Sequence, residues 1–200
     1  VGGRERQEDA NRSGRAGKGW YLIVCDGLGG RPDGDRCAQL AAEAAEDYLL
    51  RLLRGPDRKK LASRLMEIPE QVQVSLQRAA MSDELDFEAA STLSVAYVDQ
   101  EQAWLVSVGD SRCSVVREGS ILETTTPHNL LAQAIRDNSP LLDEGLQEEH
   151  LAASITRSIS PTRGGDFDSR QRAALLIVPV QAGDTIVVTS DGVHEALGLD

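Results

Sequence analysis

The period of the apolar positions changes several times along the chain, and each change marks an element. Trp20-Tyr21-Leu22-Ile23-Val24-Cys25 is continuously apolar and stops at Asp26-Gly27, the pattern of a buried strand. Asp35 to Leu53 carries apolar residues at Cys37, Leu40, Ala41, Ala44, Tyr48 and Leu52, with Glu43, Glu46, Asp47 and Arg51 mostly opposite. That spacing predicts an amphipathic helix, which Gly55-Pro56 stops. Asp57 reads as the N-cap of a second helix reaching about Ala80, with Leu61, Leu65, Ile68, Val72 and Leu76 as its stripe. Pro69 should kink or divide it. The acidic stretch Met81–Ala89 reads as a loop.

Strands follow at Thr92–Val98, Ala103–Val108, Arg112–Arg117 and Ile121–Thr124. Their connectors, Gln100-Glu101, Gly109-Asp110-Ser111 and Glu118-Gly119, are so short that they predict an antiparallel meander. Two late strands, Ala173–Val180 and Thr185–Thr189, flank Ala182-Gly183-Asp184. Between the two groups lies an irregular insert at about 129–170, with helical patches near Asn129–Arg136 and Leu146–Ala153. Strand, helices, antiparallel strands, insert and strands in that order predict an α+β fold in which helices pack on antiparallel sheets. No repeat or low-complexity linker interrupts it, so residues 1–200 read as a single domain.

Composition narrows the possible functions. In 200 residues, 21 Lys+Arg stand against 32 Asp+Glu, for a net charge of −11. Such a surface disfavours nonspecific binding to nucleic acid or to anionic membranes, both of which need excess cationic charge. No apolar run approaches the roughly 18–20 residues of a membrane-spanning helix. The three cysteines, Cys25, Cys37 and Cys113, are scattered without Cys-x-x-Cys spacing. They suit a reducing compartment better than a disulfide framework or a thiolate zinc site, so a cytoplasmic location is expected. Cys25, Cys37, Trp20 and Trp104 read as packing residues, and His128 and His150 as solvated ones.

Carboxylates gather where strands stop: Glu8-Asp9, Asp26-Gly27-Leu28-Gly29-Gly30, Gly109-Asp110-Ser111-Arg112 and Ser190-Asp191-Gly192. Each motif alone reads first as a turn. Together they point to chemistry, because a carboxylate at a buried strand end is costly unless it is paired or bound to metal. An all-oxygen donor set suits a hard cation, Mg²⁺ or Mn²⁺, rather than Zn²⁺.

In order and spacing the set resembles the metal-dependent Ser/Thr protein phosphatases of type 2C, the PPM family, in its bacterial form. Arg4-x-x-Gln7-Glu8-Asp9-Ala10 resembles R-x-x-[N/M]-E-D-A, and Val24-Cys25-Asp26-Gly27-Leu28-Gly29-Gly30 resembles V-x-D-G-[M/H]-G-G. Ala90-Ser91-Thr92 is similar to G-S-T, Val108-Gly109-Asp110-Ser111-Arg112 to V-G-D-S-R, and Gly183-Asp184 through Ser190-Asp191-Gly192 to G-D-x-x-x-x-x-S-D-G. The resemblance covers about residues 2–197. It implies an antiparallel β-sandwich flanked by helices in α-β-β-α layers, with the insert as a flap beside the active site.

It also implies roles. Asp26 would bridge two cations, Mn²⁺ or Mg²⁺, with the Gly27 carbonyl on one of them. Asp191 would ligate the first, Glu8 and Asp9 would sit at the second, and Asp110 would serve a third, more weakly held ion. Arg4 would hold the substrate phosphate. Phosphorylated proteins, targets of a Ser/Thr kinase, would be the substrates of a monomeric enzyme.

Several residues depart from the family pattern. Leu28 stands where other members carry His or Met, which excludes a side-chain general acid there. Gln7 replaces Asn, Arg31 stands where His is common, and Pro127-His128-Asn129 lacks the Asp of the usual D-H-S or D-H-T. The family's closing Asp-Asn has no counterpart, since Asp137-Asn138 lies in the insert. With Val1 at the start and no initiator Met, the expectation is a chain cut from something longer, its closing strand lying after Asp200. The alternatives are a catalytically impaired regulatory module of the same fold (a pseudophosphatase) and a phosphatase dedicated to one regulatory antagonist protein.

Overall fold

β1 (Asp9–Ala16) and β2 (Gly19–Asp26) form an antiparallel hairpin that opens a five-stranded sheet. The computed structural model describes residues 7–54, 60–139, 148–161 and 173–193. α1 (Gly34–Leu53) follows, then α2 (Leu61–Leu65) and α3 (Ile68–Met81). β3 (Leu93–Val98), β4 (Gln102–Val108), β5 (Arg112–Arg117) and β6 (Ser120–Thr124) come next. α4 (Leu130–Asp137) and α5 (Glu148–Ala152) belong to the insert, and β7 (Ala174–Pro179) and β8 (Thr185–Thr189) complete the described elements. The sheets run β1-β2-β3-β4-β7 and β6-β5-β8, with antiparallel pairing throughout.

Alternation along the central strands builds two apolar layers. Tyr21, Ile23 and Cys25 of β2, Leu93, Val95 and Tyr97 of β3, and Trp104, Val106 and Val108 of β4 share a cluster with the helices. Ala96, Ala103 and Leu105 form a second cluster with Cys113, Val115 and Val178, between the sheets. Both faces of these strands are therefore buried, which is why their sequence reads as continuous apolar runs. α1 packs through Cys37, Ala38, Ala41, Ala42, Ala45, Leu49 and Leu52. Its alanines let the helix axis approach the sheet closely. Helices, sheet and second sheet are three layers of the expected α+β sandwich. β6 is exposed along its whole length, so no described helix covers it.

Three expectations need correction, and one strand went unpredicted. The meander breaks at Gly109-Asp110-Ser111: β4 pairs with β3 and β7, and the chain crosses there to the other sheet. Gln181–Asp184 makes the same crossing between β7 and β8. Short connectors reveal strand reversal but not a change of sheet. β1 was not legible as a strand, because this edge strand buries only Ala10 and Ala16, and its Arg12 lies over α1 against Glu43 at 2.9 Å. The second helix divides at Met66–Glu67, so Pro69 falls at the second position of α3, where its missing N–H costs little. The N-cap assigned to Asp57 lies outside the described residues. Trp20 is 57% exposed rather than packed, with the Arg15 guanidinium 5.4 Å from its ring.

Candidate active site

The register of the first hairpin sets Asp9 directly opposite Asp26, at one end of the five-stranded sheet. Asp26 closes β2 as a buried carboxylate. Its main chain is tied down by the segment entering β3. The Asp26 N–H donates to Thr92 Oγ1 at 2.9 Å, and the Asp26 carbonyl accepts from the Thr92 N–H at 2.8 Å and from Ser91 Oγ at 3.0 Å. Thr92 Oγ1 in turn meets Ser111 Oγ at 2.8 Å, beside Asp110. The hydroxyls of Ala90-Ser91-Thr92 and of Gly109-Asp110-Ser111 thus lock together beneath Asp26.

Two glycines permit this crowding. A Cβ on Gly27 would lie 2.2 Å from the Gly34 carbonyl oxygen, so the turn after Asp26 can press against the start of α1 only as glycine. Gly109 has φ +106°, and a Cβ there would lie 2.6 Å from Thr92 Cγ2. Glu8 enters from the residue before β1. Its main-chain carbonyl accepts from the Gly27 N–H at 3.0 Å, and its carboxylate lies along the backbone of Gly29 and Gly34.

Asp191, at the start of the helical segment after β8, reaches the same place from the other sheet. The Asp26 carboxyl is raised far above the carboxylate range, first by burial, then by the Asp191 carboxylate in hydrogen-bonding contact, then by Asp9. Asp110 is pushed up to about 6 by burial and by the charge of Asp191, against the partial relief of its own and the Ser111 N–H groups. Its Oδ1 is buried and makes no hydrogen bond. Ser190 Oγ lies 3.3 Å from Asp9 Oδ2. Asp9, Asp26, Asp110 and Asp191 therefore converge from four remote segments. Glu8 and Gly27 adjoin them, and Arg4 lies outside the described residues.

Among the described residues no group of three or more His, Cys, Asp or Glu side chains is arranged to hold a metal ion as placed. The carboxyl of Asp26 stands against those of Asp191 and Asp9. Like charges this close cannot all ionise without a proton or a cation between them. The all-oxygen donors and the orphaned Asp110 oxygen fit a hard divalent cation.

Reading residues alone placed three contributors in motifs without giving them a role. Ser91, Thr92 and Ser111 brace Asp26, and their signal was a run of hydroxyls where a strand should begin. His128 is buried, not solvated. Burial lowers it to about 4, with Arg157 and Arg136 adding to the effect. His150 is exposed as expected, and His194 lies outside the described residues. Cys25, beside Asp26, is fully buried, and burial drives its thiol far up; it packs in the core and is no nucleophile.

Comparison with known proteins identifies the family and the fold. The family model described as Protein phosphatase 2C matches residues 3–199. The serine/threonine phosphatase stp of Listeria innocua is 24% identical over 172 residues, covering 86% of this chain and 65% of that protein. The chain thus spans just under two thirds of the length of that curated relative. The crystal structure of Stp1, a serine/threonine phosphatase from Staphylococcus aureus, superposes with a TM-score of 0.73 at 18% identity, covering 96% of this chain and 73% of that one. The catalytic domain of the phosphatase PstP in complex with two manganese ions superposes with a TM-score of 0.63 at 22% identity, covering 94% of this chain and 73% of that one. With a family model matched across nearly its whole length on a fold of the same kind, the chain belongs to the protein phosphatase 2C family.

Proposed function

We propose that this chain is a Mn²⁺- or Mg²⁺-dependent protein Ser/Thr phosphatase that hydrolyses phosphoserine and phosphothreonine. The observation that carries the reading is the convergence of Asp9, Asp26 and Asp191 at one end of the sandwich, with Asp110 facing Asp191. Asp26 would bridge two cations, with the Gly27 carbonyl and Asp191 on one and Glu8 and Asp9 at the other. Asp110 would serve a third. Bound there, the cations supply charge stabilisation for the phosphoryl oxygens and acidify a water molecule at neutral pH.

The protein's own residues do the rest. Thr92 and Ser91 fix the backbone of Asp26, so that its carboxylate does not have to reorganise during turnover. Arg4 offers a fork of donors suited to phosphate oxygens. Leu28 can donate no proton, so the leaving alkoxide takes one from water. No covalent enzyme intermediate is required, in keeping with the buried, inert cysteines. The net charge of −11 argues for protein rather than nucleic-acid substrates. The substrates would be targets of a Ser/Thr kinase, and the enzyme a monomer of the cytoplasm. Among the described residues no helix is long and apolar enough to cross a membrane.

The test is hydrolysis of a phosphothreonine peptide and of p-nitrophenyl phosphate with added Mn²⁺. Asp26→Ala and Asp191→Ala should each lose about 100-fold or more, because each removes charge from the centre of the site. Full activity in either variant would sink the assignment. Mn²⁺ uptake without turnover would favour the non-catalytic reading, a regulatory module of the same fold.

A further inference from the structure

His128 lies on the segment between β6 and the insert, far in sequence from every carboxylate of the site. Its imidazole is nonetheless buried, and its contacts run to the Gly109-Asp110 turn. Nδ1 accepts a hydrogen bond from the Gly109 N–H at 3.1 Å, and the His128 N–H donates to the Gly109 carbonyl at 2.8 Å. Both main-chain groups of Gly109 are thereby held, at the residue whose φ of +106° decides where Asp110 points.

The same residue anchors the insert. The His128 carbonyl accepts from the Thr156 N–H at 2.8 Å, where the chain returns from α5. The next residue, Asn129, caps α4 through Oδ1 to the Ala132 N–H at 2.9 Å. Three residues after Thr156, Ile159 exchanges two main-chain hydrogen bonds with Ser91, at 2.9 and 2.8 Å. Ser91 is the residue whose hydroxyl donates to the Asp26 carbonyl. The chain before α4 and the chain after α5 are therefore fastened to the backbones that carry Asp110 and Asp26, and the fastening to Asp110 runs through the imidazole and the main-chain N–H of His128.

We propose that His128 is a positioning residue. Its ring and backbone clamp the Gly109-Asp110 turn to the roots of the insert, and so aim the Asp110 carboxylate beside Asp191 for a divalent cation. The unpartnered Oδ1 of Asp110 is the atom being aimed. No hydrogen bond holds that oxygen, so its place depends on the course of the Gly109-Asp110 backbone and on the Asp110 and Ser111 N–H groups that meet the carboxylate. This inference rests on the metal centre proposed above.

The experiment is Mn²⁺ titration of the intact protein, by calorimetry and by the electron paramagnetic resonance of free Mn²⁺, with Asp110→Asn as the benchmark. His128→Leu should weaken the weaker class of Mn²⁺ sites by roughly 10–100-fold, as loss of an outer partner of a ligand does, matching Asp110→Asn. The tight class should stay within a few-fold. His128→Asn keeps an acceptor oxygen near the Nδ1 position and should restore the weaker class, whereas His128→Gln places its oxygen too far out and should not. If His128→Leu fails to fold, the Asn–Gln pair carries the same contrast. A folded His128→Leu or His128→Gln that binds Mn²⁺ as the unchanged protein does would overturn the positioning role alone. An unchanged protein that binds no Mn²⁺ would overturn the metal centre itself, and this inference with it.

Discussion

Asp26 illustrates how a side chain acquires chemistry from its surroundings. Alone, an aspartate before a glycine is a turn residue. Here burial and the carboxylates of Asp191 and Asp9 make its ionised form costly, a cost that a cation in place of the proton would offset on the proposed reading. The backbone that carries it matters as much. Thr92 Oγ1 is held between the Asp26 N–H and Ser111 Oγ, and all three are buried. Thr92→Val has nearly the same shape but leaves the Asp26 N–H without an acceptor. It should cost about 1–3 kcal/mol, read as a lower urea midpoint with unchanged slope. Activity should fall with it, because the carboxylate loses its fixed base. An unchanged midpoint would mean that the hydroxyl network does not brace the site.

Among the elements, the crossings between sheets place the carboxylates. β4 and β5 are joined by three residues that leave one sheet and enter the other, and Asp110 sits in the middle of them. β7 and β8 repeat the manoeuvre at the opposite end, where Arg117 clamps Asp184 through two contacts of 2.8 Å. Strands that switch sheets deliver Asp191 to the end of the sandwich where Asp26 waits. Gly109 makes the first crossing possible. Gly109→Ala would force a Cβ into Thr92 Cγ2 at 2.6 Å and hold alanine at φ +106°. About 1–3 kcal/mol of destabilisation is expected, with loss of Mn²⁺ binding to the weaker sites. A variant of wild-type melting temperature would show that the turn relaxes without cost.

For the molecule as a whole, the clustered carboxylates tie stability to pH and to cations. A carboxyl whose folded value is raised binds its proton more tightly folded than unfolded. The penalty is absent below the ordinary carboxylate range and grows as pH climbs toward the folded value. For Asp110 that window runs from about 4 to about 6. Asp26, raised further, extends it upward. In EDTA the protein should therefore lose stability as pH rises from 4 to 6 and beyond, the Asp110 share being roughly 3 kcal/mol. Asp110→Asn should flatten the first part of that fall. Mn²⁺ at 100 times its dissociation constant should add about 2.7 kcal/mol near neutral pH. Thermal melts across pH with EDTA and with Mn²⁺ measure all three effects, and a flat profile in EDTA would contradict the crowding of charges.

Much of this protein is written locally. Period-2 and helical spacing identify most strands and helices, because burial on one face or two leaves its mark on consecutive residues. The acidic motifs at strand ends were legible for the same reason, as polar breaks in apolar runs. Three features escaped that reading. β1 is an edge strand with little to bury, so no apolar alternation announces it. The partition of β4 and β5 between two sheets leaves no local trace, since each would show the same alternation in either sheet. The burial of His128 depends on a partner, Gly109, that only folding brings to it. Which carboxylates meet, and which neutral groups hold them there, follows from hydrogen bonds between segments distant in the chain, and those exist only once the sandwich has closed.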